Sequence, residues 1–331
     1  MYERDSKDPS DFPPYGFMFL DERGSLGVRV PLDWNPPCGA VPQITREIEW
    51  RKWRDHIVAD LNRVLWPSWD PVRGEWIDCP ALELMHPLTR ADLTLLDHMA
   101  QTMPLRGLQA VPNSPSLQPD AFSHREMFII EDNRQLDGED STRSFASFYK
   151  MYDKDLPDKT AAEVSPLWFN AVSRKMSKLG HQIKDVLQRP RAYQMAFRTG
   201  DFGFFHEEGR TSQTPSMCSN HCLQGMIGVG GVYEDFHARK ITFNQDALKQ
   251  FAVDIGDRRV MAGIHYPSDN LCSWILVLKL APLVYRDPTL KNWLWDAIEH
   301  RSMIYDQILT LSKTNEGAAY RPALDYLHSV R

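Results

Sequence analysis

The chain has 331 residues, 42% of them hydrophobic, with 44 acidic against 38 basic side chains and a formal net charge of -6. A core of that size supports one large or two modest domains. The acidic balance argues against a nucleic-acid binder, whose affinity depends on clustered lysine and arginine releasing counterions from phosphates, so any anion site must be local.

The N-terminal MYERDSKDPSDF is charged and lacks the apolar stretch of a signal peptide, and no window reaches the roughly 18 uninterrupted apolar residues of a membrane span. A soluble, cytoplasmic chain is expected. Five cysteines (Cys38, Cys79, Cys218, Cys222, Cys272) are an odd number in a long chain and fit reduced thiols better than a disulfide framework.

Residues 17 to 30 carry the one hairpin signal, two short apolar runs around an Arg23-Gly24-Ser25 turn. Elsewhere the period is helical. Trp50, Trp53, Ile57, Leu61, Val64 and Leu65 follow Thr45 at three- and four-residue steps, and Pro67 ends the run. A second helix is expected from Thr89, where Thr89 and Asp92 resemble a capping box ahead of Leu93, Leu96, Met99 and Met103. Prolines and serines from Val111 to Asp120 mark a loop, and the acidic stretch 131 to 144 should be solvated. A soft boundary there divides the chain into 1–145, a helical extension with the hairpin that packs on the core, and 146–331, a helical bundle.

A long helix is predicted from Ser165-Pro166 to about Arg189-Pro190, with Trp168, Val172, Met176, Leu179, Ile183 and Val186 on one face. Further helices are expected from about His221 to Val232, Asn244 to Ile255, Ser268 to Leu283 and Leu290 to Leu311. The fold class is mostly α and bundle-like.

Three short motifs ask for an anion. In KDVLQRPRAYQ (184 to 194), Lys184 and Arg191 are seven apart, close to two helical turns, so both cations can share a face, with Arg189 as a third candidate. Taken alone it also reads as a solvated basic helix end. In TPSMCSNHCLQG (214 to 225), a helix begins near Ser219, Asn220 and His221, where backbone N–H groups and a hydroxyl suit an anion and a histidine can donate a proton. Its plainer reading is a capping sequence with a packed histidine. Cys218 and Cys222 flank His221 without the two-plus-two spacing of a zinc site, so no metal is expected. In RRVMAGIHYPSDN (258 to 270), Asp269 is spaced to accept from one nitrogen of His265 and so raise the basicity of the other. Gly263 permits close approach, Pro267 starts the next helix, and Arg259 is within reach of the same point.

In order, K-x6-R, S-x-H and R-x3-G-x-H-Y-P-S-D resemble the three-part signature of the type 2 phosphatidic acid phosphatase superfamily, which includes bacterial class A acid phosphatases and vanadium haloperoxidases. The resemblance covers residues 184 to 269. It implies a helical bundle of the acid phosphatase or vanadium haloperoxidase type, with 146–331 as its catalytic domain. It also implies that Lys184, Arg191 and Arg259, with Arg189 as a further candidate, hold phosphate or vanadate oxygens, and that Ser219 and the N–H of Asn220 add donors. His221 would be the general acid, and His265, oriented by Asp269, would attack phosphorus to give a phosphohistidine that water then releases. Ala192, Cys218 and Asn220 depart from the family's prolines and glycine, and Arg258 from its serine. Asparagine is expected to tolerate the positive φ of a glycine at 220.

The expected activity is a metal-independent phosphohydrolase or phosphotransferase on a small phosphomonoester or diphosphate, needing no cofactor. The alternatives are a vanadium-dependent haloperoxidase, with vanadate on His265, and a non-catalytic relative that binds a phosphorylated ligand. A homodimer is compatible with this reading. His206, Glu207 and Glu208 read as a solvated loop, while Trp66, Trp69 and Trp76 are available to line a channel for a lipid-like or isoprenoid group.

Overall fold

The computed structural model describes residues 19–20, 26–27, 56–61, 63–65, 69–70, 75–76, 87–102, 149, 152–167, 174–187, 189–192, 195, 214–261 and 263–331. Among them the chain is mostly helical. Two short antiparallel strand pairs occur, Phe19–Leu20 with Leu26–Gly27 and Trp69–Asp70 with Glu75–Trp76. The first falls where a hairpin is expected, and its turn lies outside the described residues. So do Trp50, Trp53, Trp66, Trp168, His206, Glu207, Glu208 and the stretches 111–120 and 131–144.

Residues 56–61 are helical and bury Ile57 and Leu61, two positions of the predicted stripe. Helix α1 (Pro87–Thr102) opens on a proline, whose missing N–H would have had no intrahelical partner in the first turn. It therefore starts two residues before the predicted Thr89. The Thr89 hydroxyl is buried without a hydrogen-bond partner among the described residues, and Asp92 turns to other elements, so the expected capping box does not form.

Ser165 and Pro166, expected to open a long helix, lie instead in the last turn of helix α2 (Asp158–Leu167), which starts after Pro157 on an acidic residue, favourable at the positive end of the helix dipole; residues 168–173 of the predicted helix lie outside the described residues. Helix α3 (Arg174–Leu187) then buries Leu179, Ile183 and Leu187. Helix α4 (Asn220–Ala238) runs past Val232 because Tyr233 and Phe236 extend the apolar stripe into ring contacts with Phe243. Helix α5 (Gln245–Met261) is capped by Asn244, whose Oδ1 accepts the Ala247 N–H at 3.1 Å.

Helix α6 (Pro267–Val284) is buried at every position from Pro267 to Leu278, and it packs against α4 and α1. It also packs against α7 (Leu290–Arg301), α8 (Met303–Ser312) and α9 (Arg321–Val330). The predicted helix from Leu290 to Leu311 breaks at Ser302. That residue is extended, its hydroxyl reaches both oxygens of buried Asp257 at 3.0 and 2.9 Å, and it accepts the Tyr305 N–H at 3.1 Å. A 3-10 turn (Ala318–Tyr320) leads into α9, which sequence reasoning missed despite Pro322 in its first turn. Lys279 of α6 ties two peripheral elements down, donating to the Tyr326 hydroxyl at 2.7 Å and to Asp60 at 3.4 Å.

Among the described residues no helix is long and apolar enough to cross a membrane. The interior position of α6 sets a contrast along one helix: Leu276 is fully buried, while Leu283 is 41% exposed. Leu276→Ala is expected to cost about 2–5 kcal/mol in denaturant unfolding, and Leu283→Ala to stay within about 0.5 kcal/mol.

Candidate functional site

Helix α5 ends, and α6 begins, within six residues. Gly263 takes φ 70, its N–H donates to Val260 O at 2.9 Å, and the Ile264 N–H donates to Arg259 O at 3.2 Å. These are the two bonds of a Schellman ending, and glycine is the residue that adopts this conformation without a Cβ clash. Tyr266 is extended and precedes Pro267, and the side chain of Asp269 accepts the Tyr266 N–H at 3.0 Å. A helix stop and a helix start thus hold His265 between them, buried with all its neighbours from 263 to 270.

Asp269 collects four donors. Its Oδ2 accepts from His265 Nδ1 at 2.8 Å, from the Tyr266 N–H and from the Ser216 hydroxyl, and its Oδ1 accepts from Arg189 Nη1 at 3.2 Å. Burial alone would raise this carboxyl, but the hydrogen bond from His265 and the charge of Arg189 outweigh it and hold it well below the usual carboxylate range.

The other face of the imidazole meets Arg191, whose Nη1 lies 2.9 Å from His265 Nε2. A guanidinium has only donors, so Nε2 must accept and Nδ1 must carry the proton toward Asp269. Burial, together with the charges of Arg191 and Lys184, pushes the imidazole well below its ordinary value despite Asp269. His265 is therefore neutral, in one tautomer, with its lone pair at Nε2.

Arg191 also donates from Nε to Thr214 O at 2.7 Å, from Nη2 to Thr214 Oγ1 at 3.0 Å and from Nη1 to Ile264 O at 3.2 Å. Lys184, in the last turn of α3, donates to the carbonyls of Pro215 and Ser216, the latter at 2.8 Å. Burial and the Arg191 charge drive the lysine well below its ordinary value. None of these acceptors is charged. The three motifs therefore meet through residues 214–216, which touch Lys184 and Arg191 on one side and Asp269 on the other.

Ser219 caps α4, accepting the Cys222 N–H at 3.4 Å, and its own N–H donates to Asp269 O at 3.2 Å. The Ser273 hydroxyl bridges Ser219 O and Asp269 O at 2.8 and 2.9 Å, pinning the start of His221's helix to α6. His221 is half-buried in the first turn of α4. Asn220 does not adopt the expected positive φ but opens α4 in helical conformation. Its amide fills a notch at Gly180 on α3, where an added Cβ would lie 1.6 Å from Asn220 Oδ1.

Arg259, like Arg258, is buried in the last turn of α5, and its carbonyl receives both Ile264 and His265 N–H groups at 3.2 Å. Arg189 stands apart from the other cations. Its Nη2 donates to Asp92 Oδ2 at 2.7 Å, its Nη1 to Ser268 Oγ at 2.6 Å and to Asp269, and its guanidinium lies 3.8 Å over the Tyr266 ring. Both of its terminal nitrogens thus meet carboxylates, unlike those of Arg191, the other arginine of the first motif. Asp92 was missed as a site residue because its spacing to Thr89 mimics a cap. Ser216 and Thr214 carry no signal beyond lying in the second motif. Cys218, Cys222 and Cys272 are free and buried.

No family model, curated protein or solved structure matches the chain.

The His265 and Asp269 shifts have the same sign for acid stability. The folded imidazole stays neutral while the unfolded one takes a proton as pH falls through 6.5, and the folded carboxylate stays ionised while the unfolded one is protonated below 3.8. Stability should therefore fall with pH from 6.5 downward. His265→Gln should flatten the urea midpoint's slope between pH 6.5 and 3.8, and an unchanged slope would contradict the assignment. Gly180→Ala should cost about 1–3 kcal/mol, with most of it recovered when Asn220→Ala is added, since the clash is between those two side chains.

Proposed function

We propose that the chain is a metal-independent phosphohydrolase or phosphotransferase acting through a phosphohistidine, as its resemblance to the type 2 phosphatidic acid phosphatase superfamily implies, with 146–331 carrying the catalytic bundle. The observation that carries this is the state of His265: Nδ1–H is tied to Asp269, and an unprotonated Nε2 faces a buried arginine. A nucleophilic imidazole needs that tautomer and that charge state.

Burial and repulsion from Arg191 disfavour the ammonium of Lys184, whose bonds go to neutral carbonyls. An oxyanion seated between the two cations would relieve that repulsion and restore the ammonium of Lys184, whose third N–H is used by neither carbonyl. Arg191 would exchange its bond to Nε2 for one to an equatorial phosphate oxygen, releasing the lone pair for in-line attack. Arg259, Ser219 and the N–H of Asn220 complete the anion site, while Arg189 supports Asp269. As the Nε2–P bond forms and the P–O bond to the leaving group breaks, His221 donates a proton to the departing oxygen. It then takes one from the water that cleaves the N–P bond. Charge spreads over the equatorial oxygens in the transition state, so fixed cations stabilise it more than the ground state.

Purified protein is expected to hydrolyse p-nitrophenyl phosphate, with competitive inhibition by orthovanadate. His265→Ala should abolish turnover, and Arg191→Ala should lower kcat by about a hundredfold or more. Full activity in His265→Ala would refute the nucleophile. Bromide oxidation by peroxide that requires added vanadate would instead assign the site to haloperoxidase chemistry, and phosphate binding with neither reaction would mark a non-catalytic binder.

A further inference from the structure

We propose that Asp92 and Arg189 are positioning residues that fix the orientation and charge of Asp269, and through it the tautomer of His265, so that helix α1 is part of the working site. The inference rests on the catalytic role given to His265 above.

The Arg189 guanidinium lies between two buried carboxylates, Asp92 at 2.7 Å and Asp269 at 3.2 Å. The Ser268 hydroxyl accepts from Arg189 Nη1 and donates to Asp92 Oδ2, closing a ring of three groups. Asp92 Oδ1 accepts the Ser268 N–H at 3.0 Å and the Tyr320 hydroxyl at 2.7 Å. Arg189 and the Ser268 N–H can only donate, so Asp92 is held as an acceptor beside a fixed positive charge, against the burial that raises its carboxyl above the ordinary value. Asp92, Arg189, Tyr266, Ser268, Asp269 and Tyr320 are all fully buried.

One positive charge is thus shared by two negative ones. Asp269 is anchored by Arg189 without being neutralised by it, and keeps the charge that makes it a strong acceptor for His265 Nδ1–H. With Asp92 uncharged, Arg189 would pair with Asp269 alone and draw its charge away from the imidazole. The Nδ1–H bond would weaken, and the second tautomer, with its proton at the attacking nitrogen, would gain population. A purely structural ion pair would have no such effect on the imidazole.

The test compares full-length wild type and Asp92→Asn, labelled with 15N-histidine, with the His265 nitrogens assigned by their loss in His265→Gln. Wild type should show one protonated nitrogen at Nδ1 and one unprotonated at Nε2. In Asp92→Asn the two resonances should move toward each other, and kcat for p-nitrophenyl phosphate should fall about 10- to 100-fold with KM nearly unchanged. Tyr320→Phe, which removes a donor to Asp92 without altering charge, should shift the resonances the same way by less, and it serves if Asp92→Asn does not fold. A folded variant with the wild-type nitrogen pattern would overturn the proposal. A wild type inert toward phosphate esters would defeat the phosphatase reading alone, because the nitrogen pattern still decides this one.

Discussion

One carboxylate organises the interior of this protein. Asp269 gathers a backbone N–H, a serine hydroxyl, an imidazole and a guanidinium from three separate stretches of chain, and each of those donors belongs to an element that also has to pack. A buried carboxylate is tolerated only when its lone pairs are filled, so the four contacts constrain one another. The helix stop at Gly263 and the helix start at Pro267 place this residue through local backbone contacts. The segment at 214–216 and the arginine at 189 then have one arrangement in which all of its acceptor sites are satisfied.

The cations around this centre divide into two kinds. Arg189 is charge-compensated and stacked on a tyrosine, as a structural arginine should be. Lys184 donates to two carbonyls, and Arg191 meets carbonyls, a hydroxyl and the imidazole. Burial and the charge of Arg191 disfavour the ammonium of Lys184, and in the proposed reading a multiply charged oxyanion would offset that cost. Perturbed groups clustered around a histidine are what make this centre a candidate site.

What was legible in the sequence was local. The four-residue step from His265 to Asp269, the glycine before it and the proline between them specify a capped junction whose geometry follows from backbone rules alone. The step from Lys184 to Arg191 was not legible in that way: α3 ends at Leu187, so the two cations do not share a helical face, and residues 214–216 bring them together. What was not legible depended on distance. Arg189 and Arg191 are two residues apart with a proline between them, and only the positions of Asp92 and Ile264 decide that the first meets carboxylates and the second meets the histidine. Asp92 lies 176 positions before Ser268 and Tyr320 lies 228 after Asp92, separations that no periodicity spans. Asn220 looked like a glycine substitute in a tight turn, and its actual partner, the bare face of Gly180, belongs to another helix. The break at Ser302 likewise came from Asp257, a buried acceptor on α5.

The central claim is that His265, Lys184 and Arg191 hold one tetrahedral oxyanion against Nε2 of the imidazole. A crystal structure of the protein soaked in orthovanadate tests it most directly. The account predicts vanadium bonded to His265 Nε2 in trigonal-bipyramidal geometry, with Lys184 and Arg191 on its equatorial oxygens and Arg189 still between its two carboxylates. Vanadate bound elsewhere, or a His265 whose Nε2 stays on Arg191 at saturating vanadate, would contradict it.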